Sequence, residues 1–187
     1  MPRRLLLPLV VVGVVSAGVA GTATYAAFSS TTANGSDSFS AGTVYLADND
    51  SGNRMLSLTN AKPGINTATS CIAVTYGGTL SAAVRLYAQN VSGSIAPYIN
   101  LTVTRGEGAN TFGTACTGFT TTGTGDGQIY SGTLSAFPTS YATGIVDPQS
   151  WSPNDVHVYK FVVSLANNPA AQAAAGSADF VWEAQNT

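Results

Sequence analysis

Apolar and polar residues alternate with a period of two along much of this chain, the signature of strands with one buried face. Val44 and Leu46 share a face, as do Leu56 and Leu58. Ile72, Val74 and Tyr76 follow, then Leu80, Ala82, Val84 and Leu86, with Arg85 pointing the other way. Ile99, Leu101 and Val103 alternate with Asn100, Thr102 and Thr104. Late in the chain, Tyr159, Phe161, Val163 and Leu165 form one face of a long strand. Phe180, Trp182 and Ala184, opposed by Asp179, Glu183 and Gln185, form the last.

Turn signals separate these runs at Lys62-Pro63-Gly64, Gly77-Gly78, Ser92-Gly93 and Ser152-Pro153-Asn154-Asp155. The pattern predicts an all-β fold, an antiparallel, jelly-roll-like β-sandwich of about eight strands. Residues 106–127 read as a Gly/Thr-rich loop, and residues 134–150 as irregular with one helical turn. In the Ala-rich stretch Asn168 to Gly176, Asn168 is placed to cap a short helix with Pro169 at its first position. No internal repeat and no linker between domains is visible.

Charged residues are only 9% of the 187, against about a quarter in ordinary globular chains. Disordered chains lack aromatic and β-branched residues. This one keeps 9% aromatics, so it can build a core, and it is long enough to do so without metals.

The N-terminus reads as an export signal. Arg3 and Arg4 precede the uncharged run Leu5 to Ala20, and Thr24-Tyr25-Ala26 fits the small-x-small cleavage rule. Residues 1–26 are thus a signal peptide cut between Ala26 and Ala27, and a cleaved chain is secreted. The alternative is an uncleaved anchor, but the run falls short of the roughly 20 residues that span a bilayer. Losing Arg3 and Arg4 makes the mature part more acidic than the net −2 of the whole chain. No basic cluster remains to neutralise phosphates, so nucleic acid is not an expected partner.

Candidate chemistry is sparse. Cys71 and Cys116 are the two cysteines, and in an exported protein they suggest one disulfide, the alternative being two free buried thiols. The lone histidine, His157, cannot hold a catalytic zinc by itself, and no Gly-x-Ser-x-Gly elbow accompanies it. It reads as a structural or surface residue. Asp48-Asn49-Asp50-Ser51-Gly52 resembles half of a calcium loop, with Asp48 and Asp50 as candidate ligands. The glycine is fifth rather than sixth and Thr59 stands where the loop needs Glu, so a solvated turn is the simpler reading. Trp151 and Trp182 sit at predicted strands, where core packing is the default. No other cofactor is expected, and the chain reads as a non-enzyme.

Two stretches carry a resemblance. Gly21-Thr22-Ala23-Thr24-Tyr25-Ala26-Ala27-Phe28-Ser29, followed by Phe39-Ser40-Ala41-Gly42-Thr43-Val44-Tyr45-Leu46, is similar to the TasA/camelysin family of bacterial exported proteins. The likeness continues through Leu56 to Gly64 and Gly78-Thr79-Leu80, and returns in Phe180-Val181-Trp182-Glu183-Ala184. It implies processing by a signal peptidase of the SipW kind. It further implies a jelly-roll subunit, residues 38–187, of extracellular biofilm-matrix or cell-surface fibres.

In such fibres the freed N-terminal segment adds as a strand to the next subunit. Here that segment is residues 27–37, with Ala27, Phe28, Ser29, Ser30, Thr31 and Thr32 as the donor strand. The implied partners are the chain itself, head to tail, and the signal peptidase during export, with membrane contact only before cleavage. Camelysin has been classed as a metallo-endopeptidase. One histidine and no zinc motif do not support that activity here. The other reading, from a different class, is a monomeric or wall-associated exported binding module.

Overall fold

The computed structural model describes residues 41–65, 67–108, 112–121 and 125–187. Eight strands form: β1 (Leu46–Asp48), β2 (Thr67–Tyr76), β3 (Ala82–Gly93), β4 (Ile99–Gly106), β5 (Gly127–Thr133), β6 (Ile145–Val146), β7 (Val156–Leu165) and β8 (Gly176–Asn186). They make two antiparallel sheets, one ordered β1-β2-β7-β4-β5 and the other β6-β3-β8, an all-β sandwich.

The period-two faces meet between the sheets. Ile72, Val74 and Tyr76 of β2, Ile99, Leu101 and Val103 of β4, and Tyr159, Phe161, Val163 and Leu165 of β7 are all buried. Opposite them lie Ala82, Val84, Leu86 and Ala88 of β3. Ring contacts cross the interior, with Phe161 4.8 Å from Phe180 and Phe137 5.5 Å from Phe180. Each large apolar side chain enclosed this way contributes about 1.5–3 kcal/mol.

Several expectations shift in detail. Leu80 precedes β3, which begins at Ala82, and Val44 precedes β1. The alternating pair Leu56 and Leu58 belongs to no strand. The segment that carries it packs both side chains on the core without joining a ladder. β5 and the two-residue β6 arise where no alternation predicts them. β5 starts at a glycine and puts Ile129 and Tyr130 side by side, so it has no period to read. It forms because β4 offers an edge, with a register shift between Val103 and Thr104.

The loops behave more as their residues suggest. Residues 134–150 hold two short 3-10 turns, Leu134–Ala136 and Tyr141–Thr143. Asn168 caps the turn Pro169–Ala171, its side-chain oxygen accepting from the Ala170 N–H at 2.9 Å. The expected turns at Lys62 and Ser152 close through Ile65 N–H to Lys62 O at 3.1 Å and Asp155 N–H to Ser152 O at 3.0 Å.

Cys71 and Cys116 are joined in a disulfide. Cys71 and Ala73 of β2 and Val158 of β7 point to the outer face of the larger sheet, where Cys116 and Phe119 cover them. Gly113 pairs with Cys71 in both directions, at 3.0 and 3.1 Å. The strap 112–121 therefore closes part of the outer edge of β2 as well as shielding the sheet face.

Candidate functional site

The strand order shows how the sandwich is rolled. In a jelly roll, a long antiparallel ribbon folds over so that strand pairs 2–7, 3–6 and 4–5 lie side by side, with a first strand beside the eighth. Three of these pairs form here: β2 with β7, β3 with β6, and β4 with β5. The fourth does not. β8 pairs with β3 along one side, and β1 pairs with β2 instead of β8. Among the described residues, the outer edge of β8 has no strand partner.

The segment Arg54–Thr59 runs opposite that edge. Arg54, Leu56, Leu58 and Thr59 on one side and Gly176, Ala178 and Phe180 on the other line a cleft of about 780 Å³. Ile99, Leu134 and Val163 lie at its base. A smaller cleft of about 270 Å³ shares Arg54, Leu56, Ala178 and Phe180 and extends to Met55 and Trp182. Leu58 and Thr59 thus lie toward Gly176 and Met55 toward Trp182, so the segment runs antiparallel to β8. Phe180 and Trp182, two large members of the interior, remain half-buried on this side.

Much of the edge of β2 is covered, while seven-residue β5 and three-residue β1 end the larger sheet. Val74, Thr75 and Tyr76 of β2 are paired by β1, and Cys71 by Gly113. A long unpaired edge is a template for another strand, and natural sheets ordinarily block it.

The candidate calcium residues serve their own turn. The Asp50 N–H donates to Asp48 Oδ1 at 3.1 Å and the Gly52 N–H to Asp50 Oδ1 at 2.6 Å. Asn49 Oδ1 accepts from the Ala73 N–H at 3.0 Å, anchoring the turn to β2. Burial pushes the Asp48 carboxyl above its ordinary value, with the neighbouring Asp50 charge adding to the rise. Among the described residues, no group of three or more His, Cys, Asp or Glu is placed to hold a metal.

A buried polar cluster, which the sequence reading did not single out, lies at one end of the interior. Arg105 continues the inward series Ile99, Leu101, Val103, and His157 precedes Tyr159, Phe161 and Val163 in the same phase. Arg105 is fully enclosed and His157 is 4% exposed. Arg105 Nη1 meets Asp126 Oδ1 at 2.6 Å, its Nε lies 3.5 Å from Asp147 Oδ2, and its Nη2 donates to Gln149 Oε1. Asp147 Oδ2 also accepts from the Tyr159 hydroxyl and lies 2.9 Å from His157 Nδ1. The Gln149 N–H donates to Asp147 Oδ1 at 2.9 Å. Trp151 lies against the imidazole with ring centres 3.8 Å apart and planes tilted by 37°.

Burial pushes the Asp147 carboxyl up, but hydrogen bonds from His157, Tyr159 and the Gln149 N–H outweigh it and hold it below the usual range. Burial pushes Asp126 up despite Arg105, and pushes the Tyr159 phenol well above its ordinary value. Among the described residues, no hydroxyl or thiol nucleophile bonds His157. The cluster ties β4 and β7 to the loop around Asp147, which is a positioning job.

The phase of the two strands was the signal for this cluster. A charged residue that continues a buried period must find partners inside. The signal peptide 1–26, the cleavage pair Ala26 and Ala27, the segment 27–37 and the donor strand from Ala27 to Thr32 lie outside the described residues. No known protein family matches this chain, and no curated protein matches it.

Proposed function

We propose that this chain is a secreted structural subunit of extracellular or cell-surface fibres, assembled by donation of an N-terminal strand from one subunit to the next. The open edge of β8 carries the reading. Among the described residues, its eleven residues of strand are bonded on one side only, above half-buried aromatic side chains. Adding a strand there satisfies backbone groups and drops alternate side chains into pockets. A head-to-tail contact that does not close builds a filament.

The sequence from Ala27 to Ser36 supports the donor role. It carries no charged side chain and one large apolar anchor, Phe28. The resemblance to the TasA/camelysin proteins supports it independently, through the cleavage region and the segments that follow. Cleavage after Ala26 by a signal peptidase would then gate assembly, since an uncut segment stays tethered at the membrane. The chain acts as a building block and not as an enzyme.

Negative-stain microscopy of two forms of the protein tests this, one beginning at Ala27 and one at Gly35. Fibres from the first and monomers from the second are expected. If both stay monomeric across pH, salt and calcium, a monomeric or wall-associated binding module takes its place. If both polymerise, the fibre stands and strand donation fails.

A further inference from the structure

We infer that the cleft at the Arg105–His157 end of the sandwich is a binding site for a primary ammonium group, the charged end of a small amine or of a lysine side chain. The inference goes beyond the fibre reading and does not depend on it.

The cleft measures about 410 Å³, and Arg105, Glu107, Gln149, Ser150, Asp155 and His157 line it. Small-molecule sites are of this size. The inward phases of the two central strands explain its chemistry. Along β4 the phase runs Ile99, Leu101, Val103 and Arg105, and its next member is Glu107. Along β7 it runs back from Phe161 through Tyr159 and His157, and its next member is Asp155. Arg105 lies opposite Tyr159 and Gly106 opposite Val158, so the next step of that register sets Glu107 alongside His157. The phases that build the apolar core thus end together in ionisable side chains.

Charge is out of balance there. Arg105 is the one cation that lines the cleft. Its guanidinium is already engaged by Asp126, Gln149 and the Gly106 carbonyl, with Asp147 beside it. Four carboxylates surround this single cation, Asp126 and Asp147 enclosed and Glu107 and Asp155 on the cleft wall. Burial raises the Asp126 carboxyl, and the charges of Glu107 and Asp147 add to the rise, so the excess is felt across the cluster.

Hydrogen bonding is out of balance in the same sense. His157 Nδ1 is held against Asp147 and carries the proton, because an ionised carboxylate can only accept. Nε2 of the neutral ring is then an acceptor. Among the described residues it has no partner, although His157 is enclosed. The Glu107 carboxylate has none among them either, and Asp155 takes one, the Ser152 N–H at 2.7 Å. An enclosed imidazole with a spare acceptor, beside two carboxylates with spare lone pairs, calls for a ligand that brings donors and positive charge.

A primary ammonium brings three N–H donors on a compact charge. A divalent metal is a poorer match, since among the described residues no three His, Cys, Asp or Glu are grouped to ligate one. A quaternary ammonium has no N–H to give and relies on open aromatic faces, whereas Trp151 presents its ring to His157. The acceptors are also set in advance. Glu107 and Thr120 exchange both main-chain bonds, at 2.9 and 3.0 Å, and the Asp155 carbonyl accepts the Tyr76 N–H at 2.9 Å. Preorganisation of this kind lowers the ordering cost of binding.

The test uses the mature chain labelled with 15N-histidine. His157 is the lone histidine, so its ring nitrogens are identified without assignment, in solution or in fibres alike. Butylammonium is expected to give a saturable shift of the Nε2 signal at constant ionic strength, and tetramethylammonium none. Glu107→Gln and Asp155→Asn are each expected to weaken butylammonium binding at least about tenfold, as for one hydrogen bond to a charged group. Asp179→Asn, an exposed carboxylate on β8, should leave it unchanged.

An equal response to both ammonium ions, or equal weakening by Asp179→Asn, would reduce the effect to general charge attraction and overturn the inference. So would the absence of a saturable shift up to about 100 mM butylammonium, or a shift with Zn²⁺ alone. A lysine with both its backbone ends blocked separates the two sources. Binding like that of butylammonium shows that the cleft takes a lysine end, and binding of butylammonium alone confines it to free amines.

Discussion

His157 Nδ1 lies 2.9 Å from Asp147 Oδ2, and the same oxygen accepts the Tyr159 hydroxyl. An ionised carboxylate can only accept, so Nδ1 carries a proton and the ring is held in one orientation beneath Trp151. Arg105 stands between Asp147 and Asp126 as the buried cation. The cluster joins parts of the chain that no local pattern brings together.

Removing that cation strips Asp126 of its bonded partner and leaves Asp147 with its hydrogen bonds from His157, Tyr159 and the Gln149 N–H alone. Arg105→Met is expected to cost about 3–5 kcal/mol, read as a lower denaturant midpoint. Adding Asp126→Asn should recover part of the loss, because one of the stranded charges then goes.

The two carboxylates respond to pH in opposite senses. Hydrogen bonds hold Asp147 below the ordinary carboxylate value in the folded state. Its contribution is therefore complete above that value and is lost as pH falls through the lowered one. Asp126 is raised by burial, so the fold prefers it protonated and its contribution is lost as pH rises through the raised value. Denaturation curves across acid pH should show a shallower acid limb in Asp147→Asn. Asp126→Asn should lose less stability between acid and neutral pH than the unchanged chain.

At the alkaline end, burial holds the Tyr159 phenol neutral well above its ordinary value. The unfolded chain ionises first, so stability falls as pH rises past that value. Tyr159→Phe is expected to reduce this alkaline loss in thermal unfolding, while costing stability at neutral pH through the missing bond to Asp147.

The Cys71–Cys116 bridge closes a separation of 45 positions, worth about 4 kcal/mol in the chain-entropy model. The double change to serine should lower the denaturant midpoint by a comparable amount. It should also open the strap 112–121 to limited proteolysis, since Gly113 and Phe119 lose the tether that holds them to the sheet.

Gly78 is a place where the backbone comes close. A Cβ there would lie 2.7 Å from the Thr43 carbonyl oxygen and would also meet the Tyr76 hydroxyl. Gly78→Ala is expected to cost about 1–3 kcal/mol and to loosen the entry of the chain at Thr43. Faster amide exchange at Thr79 and Leu80 would report it.

The strands that carry the core were legible because burial on one face imposes a period of two. Ile99, Leu101 and Val103, and Tyr159 through Leu165, announce themselves before any partner is known. The disulfide was legible only as two cysteines in a chain that reads as exported. β5 was not legible, because its neighbours Ile129 and Tyr130 break the period and the strand exists only by pairing with β4. Leu56 and Leu58 misled in the other direction: their alternation is real, but a ladder also needs an edge within bonding distance, and β8 stands across a cleft.

The sequence by itself determined the all-β class, the inward faces of the long strands and the Asn168 cap, because each depends on neighbours within a few residues. Only the tertiary structure decided that Arg105 and His157 share a cluster with Asp126 and Asp147, and that the eighth strand keeps an open side among the described residues. Those outcomes depend on which distant segments meet. Meeting is settled by closing long loops against packing and hydrogen bonding across the whole sandwich, an energy no local pattern contains.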